Sequence, residues 1–169
     1  MIKRSISILL PLLLLCLIFG CSSKAEQLQQ PVSFFYPEKA QEDGSIFNVI
    51  RSEEREGSAF GDDLHLLLVS YLSGPRDTAL YSPFPAQLKL IEATCYEGTV
   101  TLLFDESFGA LSGLDRTIAC ACVSQTCLAF TGADSVRIFA ENTLFNGGES
   151  IEISRESILT QDNTPILEP

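Results

Sequence analysis

The sequence predicts an α+β fold with the order β-β-α-β-β-α-β, in which two helices pack on one face of a mostly antiparallel sheet. Two segments with apolar residues three and four positions apart predict the helices. Short runs of β-branched and aromatic residues predict the strands. Two of these runs flank Glu97-Gly98, an acidic-glycine pair typical of a tight hairpin turn.

Two strands and a loop are predicted before the first helix. Val32 to Tyr36 is β-branched and aromatic, and Ile46 to Ser52 alternates apolar and polar side chains, so both are predicted to be strands. Glu53 to Gly61 is charged and contains glycine, and we expect a loop there. The first helix is predicted from Asp62 to Leu72, where apolar residues recur at helical spacing.

The first helix is followed by a proline-containing stretch and a hairpin. Ser73-Gly74-Pro75 ends the helix, because glycine adopts the left-handed conformation there and proline cannot continue a helix. Arg76 to Ala86 contains two prolines and is predicted to be an extended surface loop. Gln87 to Tyr96 and Thr99 to Asp105 are the predicted hairpin strands, and a change of apolar face within the first indicates a bulge.

One more helix and a last core strand complete the predicted fold. Gly113 to Phe130 lacks proline and directs apolar residues to one side, so we predict the second helix there, ended by Gly132. Ser135 to Ala140 alternates apolar and polar residues and is the predicted last core strand. A short terminal strand is expected near Ile151 to Ile153.

The N-terminal segment has the pattern of a secretory signal. Two basic residues precede an apolar run from Ile6 to Phe19, which is short for a membrane span. The end of this segment, Leu17-Ile18-Phe19-Gly20-Cys21, resembles the lipobox of bacterial lipoproteins, in which the cysteine is acylated with chains such as palmitate before cleavage. We therefore predict lipidation of Cys21. The alternative is an uncleaved anchor with an ordinary thiol at Cys21.

The predicted organisation has four parts. Residues 1–20 are the signal peptide, 21–30 the lipidated cysteine with a polar linker, 31–155 one folded domain, and 156–169 a C-terminal tail. This length suffices for one hydrophobic core and is short for two domains. The lipid would hold the domain at the extracytoplasmic face of the cell membrane.

The charge excludes some classes of partner. The chain has 22 acidic and 11 basic residues, a formal net charge of −11, and two of the basic residues fall within the predicted signal. Nucleic-acid-binding proteins need basic patches to neutralise phosphates, so no nucleic acid is expected as a partner. Electrostatic binding of a basic cluster to anionic lipids is equally unexpected. The covalent lipid is therefore the predicted membrane contact.

Four cysteines remain once Cys16 is assigned to the signal and Cys21 to the lipid. No paired C-x-x-C motif is present, and cysteines two positions apart on a helix point to separated sides, so zinc is not expected. A disulfide from the first of the four to a helix cysteine is open in an oxidising compartment, whereas small buried thiols are the preferred interpretation. The four are Cys95, Cys120, Cys122 and Cys127.

Residue types that carry catalysis are sparse. His65 is the single histidine, and we interpret it as a structural or surface residue. The carboxylate pairs Asp62-Asp63 and Asp105-Glu106 are of the kind that binds calcium or serves as acid and base, but each lies at an element boundary, where a cap or turn is the preferred role. We predict no catalytic residue, no metal and no cofactor, and a protein that is not an enzyme.

A series of motifs follows in a fixed order along the chain: Leu72-Ser73-Gly74-Pro75, Tyr81-Ser82-Pro83-Phe84-Pro85, Glu97-Gly98-Thr99-Val100-Thr101-Leu102, Phe108, the helix Ile118 to Phe130 with Gln125-Thr126-Cys127, and Val136-Arg137-Ile138. Together these motifs resemble the GerMN domain of sporulation and germination lipoproteins, in which Asn-Thr-Leu stands at the place of Gln125-Thr126-Cys127. The resemblance extends from Leu64 to Glu141, within the predicted domain over 31–155. Glu141-Asn142-Thr143 replaces the usual strand-ending glycine of that family.

The resemblance implies a non-enzymatic domain similar to the ring-building motifs of secretion and sporulation machines, in a spore-forming Gram-positive host. We therefore expect an interaction or assembly module of the cell envelope that contacts envelope proteins or itself. Its candidate contact surface is a proline-containing loop, because prolines lower the entropy lost on binding and aromatic rings act as anchors. The alternative is that these rings cover the edge of the core. The candidate residues are Gly74, Pro75, Tyr81, Pro83, Phe84 and Pro85.

A second function, from a different class, remains open. The chain would then be a ligand-binding or hydrolytic lipoprotein acting on cell-wall material. A deep pocket with convergent polar groups around His65 or Asp105 would favour this function, and the absence of such a pocket would favour the interaction module.

Overall fold

The computed structural model describes residues 30–39, 49–145 and 148–158, and the predicted signal peptide, Cys21 and the end of the C-terminal tail lie outside these ranges. The described residues form six strands and two helices, which confirms the predicted class and order. The strands are β1 Pro31–Pro37, β2 Ile50–Glu56, β3 Leu90–Tyr96, β4 Thr99–Phe104, β5 Ser135–Ala140 and β6 Ser150–Ser154; the helices are α1 Leu64–Leu72 and α2 Gly113–Thr131.

The strands form two sheets where the sequence predicted one. Strands β1 and β2 pair with each other, and the other four form a sheet in the order β3-β4-β5-β6. Strands β4 and β5 are parallel because α2 connects them as a crossover, and the other neighbours are antiparallel. Helix α1 packs on β3, whereas α2 packs on β1 and β5, so α2 joins the two sheets.

The predicted hairpin and its bulge are both confirmed. Glu97 and Gly98 have φ angles of 47° and 75°, as a two-residue turn with two left-handed positions requires. The pairing of β3 with β4 shifts between Leu90 and Glu92, which is the bulge. Strand β3 begins at Leu90, later than predicted, because the Leu88 N–H donates to the Pro85 carbonyl and closes a turn before the ladder.

The prediction for the second strand was wrong in its bounds. Strand β2 extends to Glu56, through residues that were predicted to be a loop, and residues 46–48 of the predicted strand lie outside the described ranges. The alternation of apolar and polar residues is lost here because the inward positions carry charge. Glu53 lies opposite Phe34, and Arg55 lies opposite Val32. Both side chains are nevertheless largely buried.

Carboxylates and turn residues set the element ends. Asp63 caps α1, because its side chain accepts a hydrogen bond from Leu66 N at 2.9 Å, and Asp105 accepts one from Ser107 N in the short turn after β4. The cap and turn roles expected for these carboxylates are thus confirmed. Asn142, where the GerMN pattern has glycine, takes a φ of 53°, a left-handed conformation that asparagine tolerates.

A row of aromatic rings crosses the core. Neighbouring ring centroids lie between 5.0 and 6.5 Å apart, which is the usual range for aromatic pairs. The row begins beside β1 and ends beside the start of β6. Its members are, in spatial order, Phe60, Phe34, Tyr71, Phe84, Phe104, Phe108 and Phe145.

Candidate functional site

Strand β1 and helix α2 run side by side in opposite directions and give the domain two ends. A hydrogen bond of 3.0 Å from Phe35 N to Thr126 Oγ1 joins them near the middle. The chain begins β1 near the last turn of α2, and we call this the proximal end. The distal end holds the first turns of α2 and the end of β1. At 1.5 Å per residue, helix α2 is about 28 Å long.

A groove of about 260 Å³ opens at the distal end. We call it the distal groove. The candidate loop forms one wall and the segment that leads into α2 forms the other. Tyr81, Pro83 and Pro85 are half-buried, whereas only 8 % of Phe84 is exposed. The lining residues are Tyr81, Ser82, Pro83, Phe84, Pro85, Leu111, Asp115 and Ile118.

The loop wall of the distal groove is held by the end of β1. Tyr81 N donates to the Pro37 carbonyl at 3.0 Å, and Lys39 N donates to the Ala79 carbonyl at 2.8 Å. Gly74, at the start of the loop, has a φ of 92°, so a side chain there would strain the backbone. The loop is therefore an ordered extension of the β1–β2 sheet.

A buried arginine ties this loop to β2. Only 5 % of Arg55 is exposed, and its guanidinium lies 4.3 Å from the centre of the Phe34 ring. It donates to the Gly74 carbonyl at 2.8 Å and to the carbonyl and hydroxyl oxygens of Ser70 at 3.1 and 3.2 Å. Because these acceptors lie at the end of α1 and the start of the loop, Arg55 fixes the direction of the loop.

Glu53 completes the network around Arg55. Its Oε1 accepts from Arg55 Nε at 2.7 Å, and its Oε2 accepts from Arg76 N at 2.7 Å and Asp77 N at 2.8 Å. Burial alone would raise the pKa of the Glu53 carboxyl, but these hydrogen bonds and the Arg55 charge outweigh it and lower the pKa below its ordinary value of 4.5. The carboxylate thus remains charged and holds two loop amides in place.

The two aromatic residues of the candidate loop differ in role. The Phe84 ring lies in the core between Tyr71, at 5.6 Å, and Phe104, at 6.5 Å. The Tyr81 side chain lines the groove, and partial burial raises its pKa, with smaller contributions from Cys122 and Asp115. Phe84 therefore covers the core, as the alternative interpretation of the loop expects, and Tyr81 is the ring that lines the distal groove.

The opposite wall offers one carboxylate and no cation. Asp115 is exposed in the first turn of α2 and makes no ion pair with any described residue. Its neighbour Arg116 is not part of the lining: its Nε donates to the Leu111 carbonyl at 2.7 Å and its guanidinium lies 5.5 Å from the Phe145 ring. The Asp115 charge in the groove is thus uncompensated by Arg116.

A second depression, of about 610 Å³, lies at the proximal end, and we call it the proximal cleft. Gly57 lies in the cleft beside the backbone of Gln30, and a Cβ atom added to Gly57 would clash with the Gln30 carbonyl oxygen. Its lining contains three glycines and the small residues Ser33, Cys95 and Ala129. The lining residues are Gln30, Pro31, Val32, Ser33, Gly57, Gly61, Asp62, Leu64, Cys95, Ala129, Phe130, Thr131 and Gly132.

The four cysteines of the described domain are free thiols. Cys120, Cys122 and Cys127 are buried, as expected, and burial raises the pKa of Cys120 to about 11 and of Cys122 to about 12. Cys95 is exposed, so the expectation of burial was wrong for this residue. The reason is its place on β3, an edge strand, where it borders the proximal cleft.

The residues considered for catalysis are dispersed. His65 is exposed on α1, and neither His65 nor Asp105 lines the proximal cleft or the distal groove. In the described ranges, no three His, Cys, Asp or Glu side chains are grouped as a metal site would require. No helix in the same ranges is long and apolar enough to cross a membrane.

The two helices, the two sheets and the parallel β4–β5 pair define a small α+β domain of the GerMN fold. The tandem GerMN domains of the sporulation protein GerM from Bacillus subtilis superimpose with a TM-score of 0.55 at 21% identity, over 82% of this chain and 48% of theirs. This chain therefore spans about half the length of that tandem structure.

The first GerMN domain of the same protein gives a TM-score of 0.49 at 17% identity, over 76% of this chain and 99% of that domain. No family model and no curated protein matches the sequence. The likeness to the tandem domains thus concerns the fold, and the function has to be argued from the surface of this chain.

Proposed function

We propose that this protein is a lipid-anchored, extracytoplasmic interaction module of the cell envelope, which contacts partner proteins through its distal groove. The observation that carries the proposal is an ordered groove at the end of the domain opposite to the predicted attachment of the chain. The lipobox-like Leu17 to Cys21 supports the anchor. The network of Arg55 and Glu53 supports a preorganised contact surface, since a fixed loop loses little entropy on binding.

The geometry of the anchor favours this use of the distal end. Between Cys21 and Pro31 the chain reaches at most about 35 Å, at 3.3–3.6 Å per extended residue. The linker would join the domain at the proximal end, so the distal groove, roughly one helix length of α2 away, would stay clear of the attachment point and open to a partner in the envelope.

The GerMN fold favours a role in sporulation or germination, because GerM is described as a sporulation protein. Under this proposal the partners are other envelope proteins or a second copy of the chain, and no cofactor takes part. The fold supports the proposed role in sporulation or germination, and the distal groove supports the proposed way in which the partners are contacted.

The alternative function, ligand binding or hydrolysis on cell-wall material, has its best location in the proximal cleft. Its volume of about 610 Å³ falls in the range of about 300–1,000 Å³ typical of small-molecule sites. The lining side chains with polar or reactive groups are Gln30, Ser33, Asp62, Cys95 and Thr131, and His65 lies outside the lining. The cleft favours binding over hydrolysis, because the histidine that would be the usual base for a cysteine nucleophile is not part of it.

The contact surface is tested by photo-crosslinking in intact cells. A photoreactive amino acid at Ser82 samples the distal groove, and the same amino acid at Thr94 is the matched control, on the sheet face turned away from the helices. We expect a protein adduct from position 82 that is absent from position 94. Equal adducts from both positions, or adducts with wall polymer alone, would contradict the proposal.

The anchor is tested separately with Cys21→Ala. We expect the variant to leave the membrane fraction while its domain keeps the wild-type unfolding midpoint, because Cys21 precedes the predicted domain over 31–155. Fractionation followed by denaturant titration measures both. A variant that stays in the membrane fraction at wild-type level would show that another segment holds the protein there.

A further inference from the structure

We infer that the distal groove binds an extended peptide segment of a partner protein that carries one apolar side chain flanked by lysine or arginine. The apolar side chain enters between the loop and α2, and the cation pairs with Asp115. This inference rests on the proposed function and names the chemistry of its partner. Size, charge and hydrogen-bonding capacity of the groove each support it.

The size of the groove fits a side chain rather than a metabolite. About 260 Å³ is below the range of about 300–1,000 Å³ in which small-molecule sites fall. An apolar cavity of about 150 Å³ already holds a benzene ring. The groove therefore has room for one large apolar side chain, packed against Tyr81, Leu111 and Ile118, with part of the adjoining backbone.

The charge of the groove selects a cation. Asp115 is the one charged side chain in the lining, and Arg116 is held away by its contacts with Leu111 and Phe145. An anionic group at this position would meet a like charge, and Asp115 already complements the positive end of the α2 dipole. The acidic chain, with a net charge of −11, adds long-range attraction for a basic segment.

The loop wall accepts hydrogen bonds but has few to donate. Pro83 and Pro85 have no N–H group, and the Phe84 N–H donates to Ser82 Oγ at 3.4 Å. The Tyr81 N–H is used by the Pro37 carbonyl. Apart from the Tyr81 and Ser82 hydroxyl groups, the loop wall offers acceptors, which suit a ligand that supplies donors, as the backbone amides of an extended peptide and the side chain of lysine or arginine do.

The inference is tested with the full mature protein in detergent and two fluorescent peptides. Each has a phenylalanine between two charged residues within a glycine-serine frame, with lysines in the basic probe and glutamates in the acidic probe. Fluorescence polarisation measures binding at low salt. We expect the basic probe to bind at least several-fold more tightly than the acidic one.

Two substitutions assign the preference to Asp115. Asp115→Asn should lower the affinity for the basic probe two- to fivefold, which is the range expected when an exposed ion pair of up to about 1 kcal/mol is lost. Asp115→Lys should reverse the preference, so that the acidic probe binds better. Glu92→Gln is the matched control, because Glu92 is exposed on the sheet face away from the helices and its loss should change neither affinity.

Three results would overturn the inference: no binding of either probe, equal binding of both, or a preference that survives Asp115→Lys. The proposed function is judged independently by the photo-crosslinks. If a protein adduct forms at Ser82 but the basic and acidic probes bind equally well, the proposed interaction module is supported and the preference for a basic segment is rejected. An adduct made of two copies of this chain would indicate that the groove binds a second copy of the protein instead of a partner's peptide segment, and it would overturn the inference.

Discussion

The proximal cleft and the distal groove lie at opposite ends of α2 and differ in how they are built. The proximal cleft is larger, and its lining combines three glycines and several small residues with Asp62. The distal groove is smaller and combines a tyrosine, two prolines and a carboxylate that Arg116 leaves uncompensated. Volume alone would select the cleft as the binding site. The chemistry of the lining favours the groove under the proposed function, because aromatic anchors and charge are the features that give an interface its specificity.

The two ends also differ in what maintains them. A buried ion pair and its hydrogen bonds to main-chain groups hold the distal loop, whereas close packing of Gly57 against the first residues of the domain maintains the proximal cleft. Electrostatics and packing respond differently to substitution and to pH. The two ends should therefore be separable by experiment.

The largest effect is expected at the buried ion pair. Arg55→Ala leaves Glu53 charged and largely buried without its partner, which typically costs about 3–5 kcal/mol. Guanidinium titration should show this loss in the free energy of unfolding, and hydrogen exchange should show the amides of Arg76 and Asp77 losing protection first. The proximal end should keep its protection until global unfolding.

The control for this prediction is Arg137→Ala. Arg137 pairs with Glu152 at 3.0 Å, but both side chains are about half exposed, at 44% and 55%. An exposed pair contributes about 0–1 kcal/mol. Similar losses for Arg55→Ala and Arg137→Ala would mean that burial of the Arg55 network does not hold the loop.

A smaller loss is expected at the proximal end. In Gly57→Ala the new methyl group collides with the Gln30 carbonyl oxygen and the side chain of Val32, and overpacking of this kind costs about 1–3 kcal/mol. The expected readout is a lower unfolding midpoint with unchanged affinity of the distal groove for the basic probe. Ser58→Ala, at the exposed neighbouring position, should change stability by less than about 0.5 kcal/mol. A loss of probe affinity in Gly57→Ala would show that the ends are coupled.

The smallest effect is expected from the pH dependence of the network. Because the pKa of Glu53 is lower in the folded state than its ordinary 4.5, its charged form stabilises the protein above about pH 4.5, and this stabilisation is lost as pH falls through the folded-state pKa. Glu53→Gln should be less stable than wild type at pH 7 and lose less stability between pH 5 and 3. Free energies of unfolding at several pH values measure this, and parallel curves would exclude a depressed pKa.

Local signals in the sequence were enough to predict most elements. The Glu97-Gly98 turn, the bulge in β3 and the bounds of β5 follow from residues next to one another in the chain, and the structure confirms them. The division into two sheets was not predictable in this way. It depends on α2 packing on β1, a contact between distant parts of the chain.

The same distinction applies to the candidate site. Its loop was identified from prolines and aromatic residues, but the second wall comes from Leu111, Asp115 and Ile118, which only the fold brings beside the loop. The Glu53 and Arg55 pair was missed because charged residues in a row indicate solvent exposure. One usable signal existed: opposite charges two positions apart lie on the same face of a strand.

The crossover through α2 also sets the order in which the domain is completed. A two-stranded sheet such as β1–β2 is at best marginally stable alone, and here it packs mainly against a helix that starts only at Gly113. When the chain emerges N-terminus first from a ribosome, β1 and β2 can contact α1 early, but they gain their main packing partner only after α2 has followed. The first strands in sequence are thus among the last to become fully packed.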